Sequence, residues 1–146
     1  MIGLIGRVDS QRIALPVTLV ETVLPMIEIA PLPKSPRPVA GLINLRGRAV
    51  PVIDLRRQLF RRATRPTPEM LLVVTADRHR RFALAMDAVE GVAELADEAV
   101  PAALPGVASA PGGLIYLYEP GALLEPGEEA RLAAALAGHP AGVAAH

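Results

Sequence analysis

The chain has 146 residues, about half of them apolar (51%), which suits one ordinary packed domain, or two very small ones sharing a core, and is too apolar for a disordered chain. It contains no cysteine, so disulfides, thiolate metal sites and thiol catalysis are excluded. The net charge of zero hides an asymmetry: residues 34–81 carry Lys34 and eleven arginines against Asp54, Glu69 and Asp77, whereas residues 82–146 carry only Arg131 against nine acids.

In chain order, "LIGRV" (4–8) and "RIALPV" (12–17), separated by Asp9-Ser10-Gln11, read as a β-hairpin, and "VETVLP" (20–25) continues in extended or turn form. Residues 30–38 carry prolines at 31, 33, 36 and 38, which excludes helix and central strand and predicts an extended surface loop. Two apolar strands follow, roughly 39–45 and 48–54, interrupted by Arg46-Gly47. An unpaired charge is costly inside a core, so the interruption is read as a turn that lifts Arg46 out, with Gly47 supplying the positive φ a tight turn needs.

Asp54 suits the N-cap of a short helix at 55–60, where Leu55, Leu59 and Phe60 are read as one face. After a proline-broken loop (61–69) come strands at 70–76 and 81–87, joined by a charged turn at 77–80, and a short alternating segment at 89–95. Residues 99–113 are turn-rich and low in complexity, and 114–119 read as a strand. Residues 126–138 are alanine-rich with two acids in the first turn and Leu132/Leu136 at i, i+4, so a C-terminal helix near 127–137 is expected, ended by Gly138 and Pro140. Eight to ten short strands with two peripheral helices point to an all-β barrel or sandwich architecture rather than a βαβ fold. The expected organisation is one domain over 1–125, a C-terminal helix over 126–138 and a flexible tail over 139–146.

Nothing in the chain frames a catalytic constellation. His79, His139 and His146 fall in a turn, beyond the last helix and at the terminus, and are read as solvated. There is no Gly-x-Ser-x-Gly elbow, no phosphate-binding glycine loop and no histidine pair at metal-ligand spacing. No cofactor, metal or enzymatic activity is therefore expected. The N-terminal apolar run is too short for a signal peptide, and no 18 uncharged apolar residues follow one another, so a cytoplasmic location is expected. The charge asymmetry is read either as basic and acidic segments that face each other or lie on solvated faces, or as a two-poled surface that orients charged partners. Nucleic acid is a poor third option, since the basic stretch has almost no aromatics for stacking, and neither nucleic-acid binding nor direct membrane insertion is expected.

The run "VAGLINLRGRAVPVIDLRRQLF" (39–60) resembles the core motif of CheW-like domains, the coupling family of bacterial chemotaxis. "RIALPVTLVETVLP" (12–25), "IAPLPKSPRPVAG" (29–41), "RFALAMDAVEGVAEL" (81–95) and "GGLIYLYEPGALL" (112–124) are similar to further segments of that family, so the likeness spans roughly residues 4–124. The resemblance implies two five-stranded SH3-like β-barrel subdomains packed on a shared aliphatic core and no catalysis. It also implies an adaptor that bridges the cytoplasmic tip of chemoreceptors to the regulatory domain of a CheA-type histidine kinase, recruited to receptor arrays. Carried over residue by residue, Asn44, Leu45, Arg46 and Gly47 match the partner-facing hairpin, and Leu19, Val20 and Glu21 match the strand segment implicated in partner contact. Asp54 matches a helix-start aspartate read as structural. Arg48, Arg56, Arg57, Arg61 and Arg62 are read as solvated charges. Two other readings stay open: the same fold serving a different chemosensory output such as pili, gliding or gene regulation, and a small ligand-binding barrel or enzyme with a pocket between subdomains.

Overall fold

The computed structural model describes residues 1–77, 80–95, 107–110, 113–118 and 123–138. The strands are β1 (Ile2–Val8), β2 (Gln11–Pro16), β3 (Val20–Pro25), β4 (Val39–Leu45), β5 (Arg48–Ile53), β6 (Leu71–Ala76), β7 (Arg81–Met86), β8 (Ala88–Glu94), β9 (Val107–Ala110) and β10 (Gly113–Leu117). A single 3-10 turn, Val17–Leu19, separates β2 from β3, and the helices are α1 (Leu55–Phe60) and α2 (Pro126–Ala137). They form two five-stranded sheets: the first in the order β8-β1-β2-β10-β9, the second in the order β3-β6-β7-β5-β4.

Why two sheets and not one follows from where the chain crosses. It leaves the first sheet through the 3-10 turn, builds the whole second sheet from β3 to β7, and returns through one residue, Asp87, between β7 and β8. The second sheet also curls toward closure. Past β3, the Met26 N–H donates to the Met70 carbonyl at 3.1 Å on the β6 side. Ala30 then exchanges a pair of 2.8 Å backbone bonds with Leu42 of β4, the opposite edge. Residues 26–30 thus span both edges of the sheet and protect them from further pairing.

The apolar residues divide by strand alternation into three interiors. On β7, Phe82, Leu84 and Met86 join Leu4, Ile13, Leu15, Val39, Ile53 and Val73 in a core shared by both sheets. Their neighbours Ala83 and Ala85 turn the other way, into an interior private to the second sheet with Ile43, Val50, Val52, Leu72 and Val74. Ile5, Ala14, Leu95 and Ile115 form the private interior of the first. A strand buried on both faces reads as a continuous apolar run rather than an alternating one, which is why "MLLVVTA" and "RFALAM" are so apolar. With so few aromatics, close approach of backbones replaces bulk: a Cβ at Gly6 would collide with Met86 Sδ, and one at Gly41 with the Ala30 carbonyl.

Four expectations are corrected. Residues 30–38 are not simply a surface loop, because Leu32, Pro36 and Pro38 are buried and Leu32 joins the shared core. The turn-rich stretch 99–113 contains a strand, β9, paired antiparallel with β10; short alanine, serine and valine runs carry too weak a pattern to announce it. The α1 residues do not share one face: Leu55 is fully buried and Leu59 packs on the core, but Phe60, a further 100° round the helix, is 38% exposed. Arg56 is not solvated, as set out below.

The C-terminal helix is seated. Leu132 is wholly buried and, with Ala135, Leu123 and Leu124, completes the shared core. Glu125 and Glu128 form a capping box at its start, with Pro126 in the first turn, and Arg80 reaches Glu129 at 3.2 Å. The tail 139–146, residues 78–79 of the charged turn, Glu119, and all three histidines lie outside the described residues.

Candidate functional site

The β4–β5 hairpin closes on Leu45 opposite Arg48, leaving Arg46 and Gly47 as a two-residue loop. Their φ values, 53° and 83°, are the pair that a type I′ turn requires, and such a turn matches the right-handed twist of its strands. Gly47 takes that conformation freely. For Arg46 it costs about 1 kcal/mol, because the Cβ crowds the backbone. Asn44 steadies the loop: its Oδ1 accepts the Gly47 N–H at 2.8 Å. Arg46 stands exposed, and no carboxylate contacts it among the described residues.

Glu21 of β3 meets the same hairpin. A depression of about 430 Å³ is lined by Glu21, Thr22, Leu45, Arg46, Arg48 and Arg81. Within it Glu21 Oε2 accepts from Arg81 Nε at 2.6 Å, so the site holds one ion pair and two further guanidinium groups. Four strands supply this mouth, β3, β4, β5 and β7, together with the turn. The structure therefore brings Glu21, Leu45 and Arg46 together, with Asn44 and Gly47 shaping the loop beside them. Leu19 and Val20 are elsewhere: Leu19 is half-buried in the 3-10 turn, and Val20 packs on the shared core. Arg48, read from the sequence as a solvated charge, and Arg81, which the sequence reading did not mark, complete the depression; the signal for Arg48 was its place two residues past Arg46, at the closing pair of the turn.

A second constellation lies where the two sheets meet. Arg56 of α1 donates through Nη2 to both oxygens of Asp87 at 2.6 Å, and through Nε to Asp9 Oδ1 at 3.0 Å. Asp9 sits in the β1–β2 turn and Asp87 is the crossing residue, so one guanidinium joins the second sheet's helix to the first sheet and to the link between them. The Asp9 N–H donates to Asp87 Oδ2 at 2.6 Å, and Arg62 reaches Asp9 Oδ2 at 2.7 Å. Below them Asp54, 2% exposed, accepts the backbone N–H groups of Arg56, Arg57 and Thr64 and the Thr64 hydroxyl, the last at 2.6 Å. The helix-capping role read for Asp54 is what the structure shows.

The electrostatics of this seam follow from the geometry. The hydrogen bond from Arg56 outweighs partial burial and, with the Arg56 and Arg62 charges, holds the Asp9 carboxyl below its ordinary value of 3.8. Burial alone would lower the Arg56 guanidinium, but its bonds to Asp9 and Asp87 prevail and hold it above its usual value. Sequence reasoning missed this network because its three partners stand at positions 9, 56 and 87, with no local spacing to join them.

Basic and acidic segments do meet in places: Arg56 with Asp87, Arg80 with Glu129, and Arg12 of the first strand pair with Glu90 at 3.1 Å. Among the described residues no three His, Cys, Asp or Glu side chains gather as a metal would require. Nor, among the described residues, is any helix long and apolar enough to cross a membrane.

Comparison with known proteins agrees with this architecture. The chain is 30% identical over 91 residues to the chemotaxis protein CheW of Rhizobium meliloti, covering 62% of this chain and 59% of that protein. It is 29% identical over 94 residues to a probable chemotaxis protein CheW of Rhizobium etli, covering 64% and 61%. It is also 44% identical over 53 residues to the CheW of Thermotoga maritima, covering 36% and 35%. The chain thus spans about three fifths or less of the curated relatives it matches. The fold superposes on the crystal structure of the scaffolding protein TtCheW from Thermoanaerobacter tengcongensis with a TM-score of 0.74 at 20% identity, over 87% of this chain and 89% of that one. The family model described as the CheW-like domain matches residues 3–117, and with its two five-stranded sheets on one aliphatic core this chain belongs to the CheW-like domain family.

Proposed function

We propose that the protein is a non-enzymatic chemotaxis adaptor that couples the cytoplasmic tip of chemoreceptors to the regulatory domain of a CheA-type histidine kinase. The observation that carries this reading is the hairpin tip. An arginine occupies a left-handed position that favours Asn or Gly, exposed, without a carboxylate partner among the described residues, above a depression it shares with Glu21. A residue that costs stability where it stands, and forms no ion pair among the described residues to offset that, fits a role toward another molecule. The relatives bear chemotaxis names, which supports the circuit.

In this role Asn44 and Gly47 form the turn, Arg46 presents a fork of donors at the interface rim, and Leu45 offers apolar surface beside it. Glu21, held by Arg81, fixes the charge pattern of the opposite wall. Leu19 and Val20 act indirectly, by seating the crossing between the sheets. The protein works in the cytoplasm, recruited to receptor arrays, and uses no cofactor.

Arg46→Glu tests this. Receptor and kinase pull-down should be lost while the circular-dichroism melt stays that of the parent. Undiminished capture of both partners by the variant would sink the assignment. Whether the array drives flagella, pili or gene expression is read from which receptor and kinase are captured.

A further inference from the structure

Around α1 the chain leaves a second set of cations unanswered. The helix is flanked by two cavities. One, of about 650 Å³, is lined by Arg56, Arg62 and Arg65 with Met70 and Asp87; the other, of about 440 Å³, by Arg37, Arg57 and Arg61 with Glu125 and Glu128. Arg56, Arg57 and Arg62 are used internally, on Asp87, Asp54 and Asp9. Arg37, Arg61 and Arg65 are exposed and touch no carboxylate among the described residues.

Among the described residues the carboxylates of the second cavity form no ion pair with Arg37 or Arg61. Glu125 and Glu128 bond each other's backbone N–H groups in the capping box of α2. Arg61 also stands at φ 57°, at the helix C-cap where glycine is the usual residue. At the end of α1 Phe60 is 38% exposed, with the Arg62 guanidinium 5.7 Å from its ring. An exposed aromatic beside arginines has the composition of an interface hot spot rather than of a solvated face.

We propose that this α1 ridge, the exposed Phe60 at the helix end together with Arg37, Arg61 and Arg65 of the cavities beside the helix, is a second docking surface whose occupant is an acidic segment of a partner protein that also presents an apolar side chain. Discrete carboxylates match the guanidinium forks one by one. A continuous phosphate chain is disfavoured, since one phenylalanine offers little stacking platform for the bases it would carry. The surface is separate from the hairpin mouth and stands whether or not Arg46 contacts a receptor.

The test uses the full chain and a fluorescein-labelled helical peptide of glutamate and leucine, with oligothymidylate and phosphatidylglycerol vesicles as rival probes. Saturable peptide binding is expected, weakened about tenfold by Arg61→Glu with Arg65→Glu and about fivefold by Phe60→Ala. Arg46→Glu should leave it unchanged. Amide shifts on titrating the parent protein should cluster at residues 58–65 and 37, a readout that needs no variant to fold. Absence of saturable binding, equal binding by the double reversal, tighter binding of oligothymidylate or vesicles, or shifts confined to 44–48 would each overturn the proposal.

Discussion

Arg46 at the hairpin tip and Arg56 at the seam carry the same side chain in opposite settings. Arg56 has a relaxed helical backbone and a side chain only 15% exposed, with two carboxylates bound to it. Arg46 has a left-handed backbone, an exposed side chain and no internal ion-pair partner among the described residues. The first is spent on the fold, the second is available to another molecule. The difference teaches that charge alone does not mark an arginine for a partner; conformational cost without internal return is the ground on which that role is proposed for Arg46.

Breaking the seam should produce the largest effect. Arg56→Met removes the cation that Asp9 and Asp87 share and leaves two close carboxylates part-buried, so urea unfolding should show a loss of about 2–3 kcal/mol, discounted for partial exposure from the cost at a fully buried pair. Thr64→Val removes the hydroxyl that Asp54 accepts, and about 1–2 kcal/mol should be lost in the same assay. The hairpin behaves inversely. Arg46→Asn creates the Asn-Gly pair a type I′ turn prefers, so the protein should gain about 0.5–1 kcal/mol while partner capture falls. An Arg46→Asn protein that is less stable than the parent would collapse the contrast between the two arginines.

Acid sharpens the same contrast. Asp9 is lowered by its Arg56 hydrogen bond, so its contribution to stability is fully present above the ordinary carboxylate value of 3.8 and is lost as pH falls through its depressed folded value. Unfolding free energy measured from neutral pH down should therefore fall in this window for the parent, and the fall should be shallower in Arg56→Met. The smallest effect belongs to Glu21→Gln: its bond to Arg81 joins two side chains each more than a third exposed, and stability should change by less than about 0.5 kcal/mol.

Much of this was legible in the chain itself. Short apolar runs set between turn residues gave nearly every strand, the Asp54 cap gave α1, and Arg46-Gly47 between two apolar runs gave the hairpin whose tip faces solvent. Those features are local, because a strand, a cap and a turn are each decided by residues a few positions apart. The seam was not legible, since Asp9, Arg56 and Asp87 meet only after two sheets pack. Nor was burial of Leu32 and Pro36 inside a stretch that prolines made look like open loop, or exposure of Phe60 on a helix one turn and a half long. Sequence by itself determined the all-β character and the place of the hairpin charge. Tertiary structure alone decided which arginines are neutralised and which are left for a partner, because ion pairing depends on distances between elements that the chain brings together only on folding.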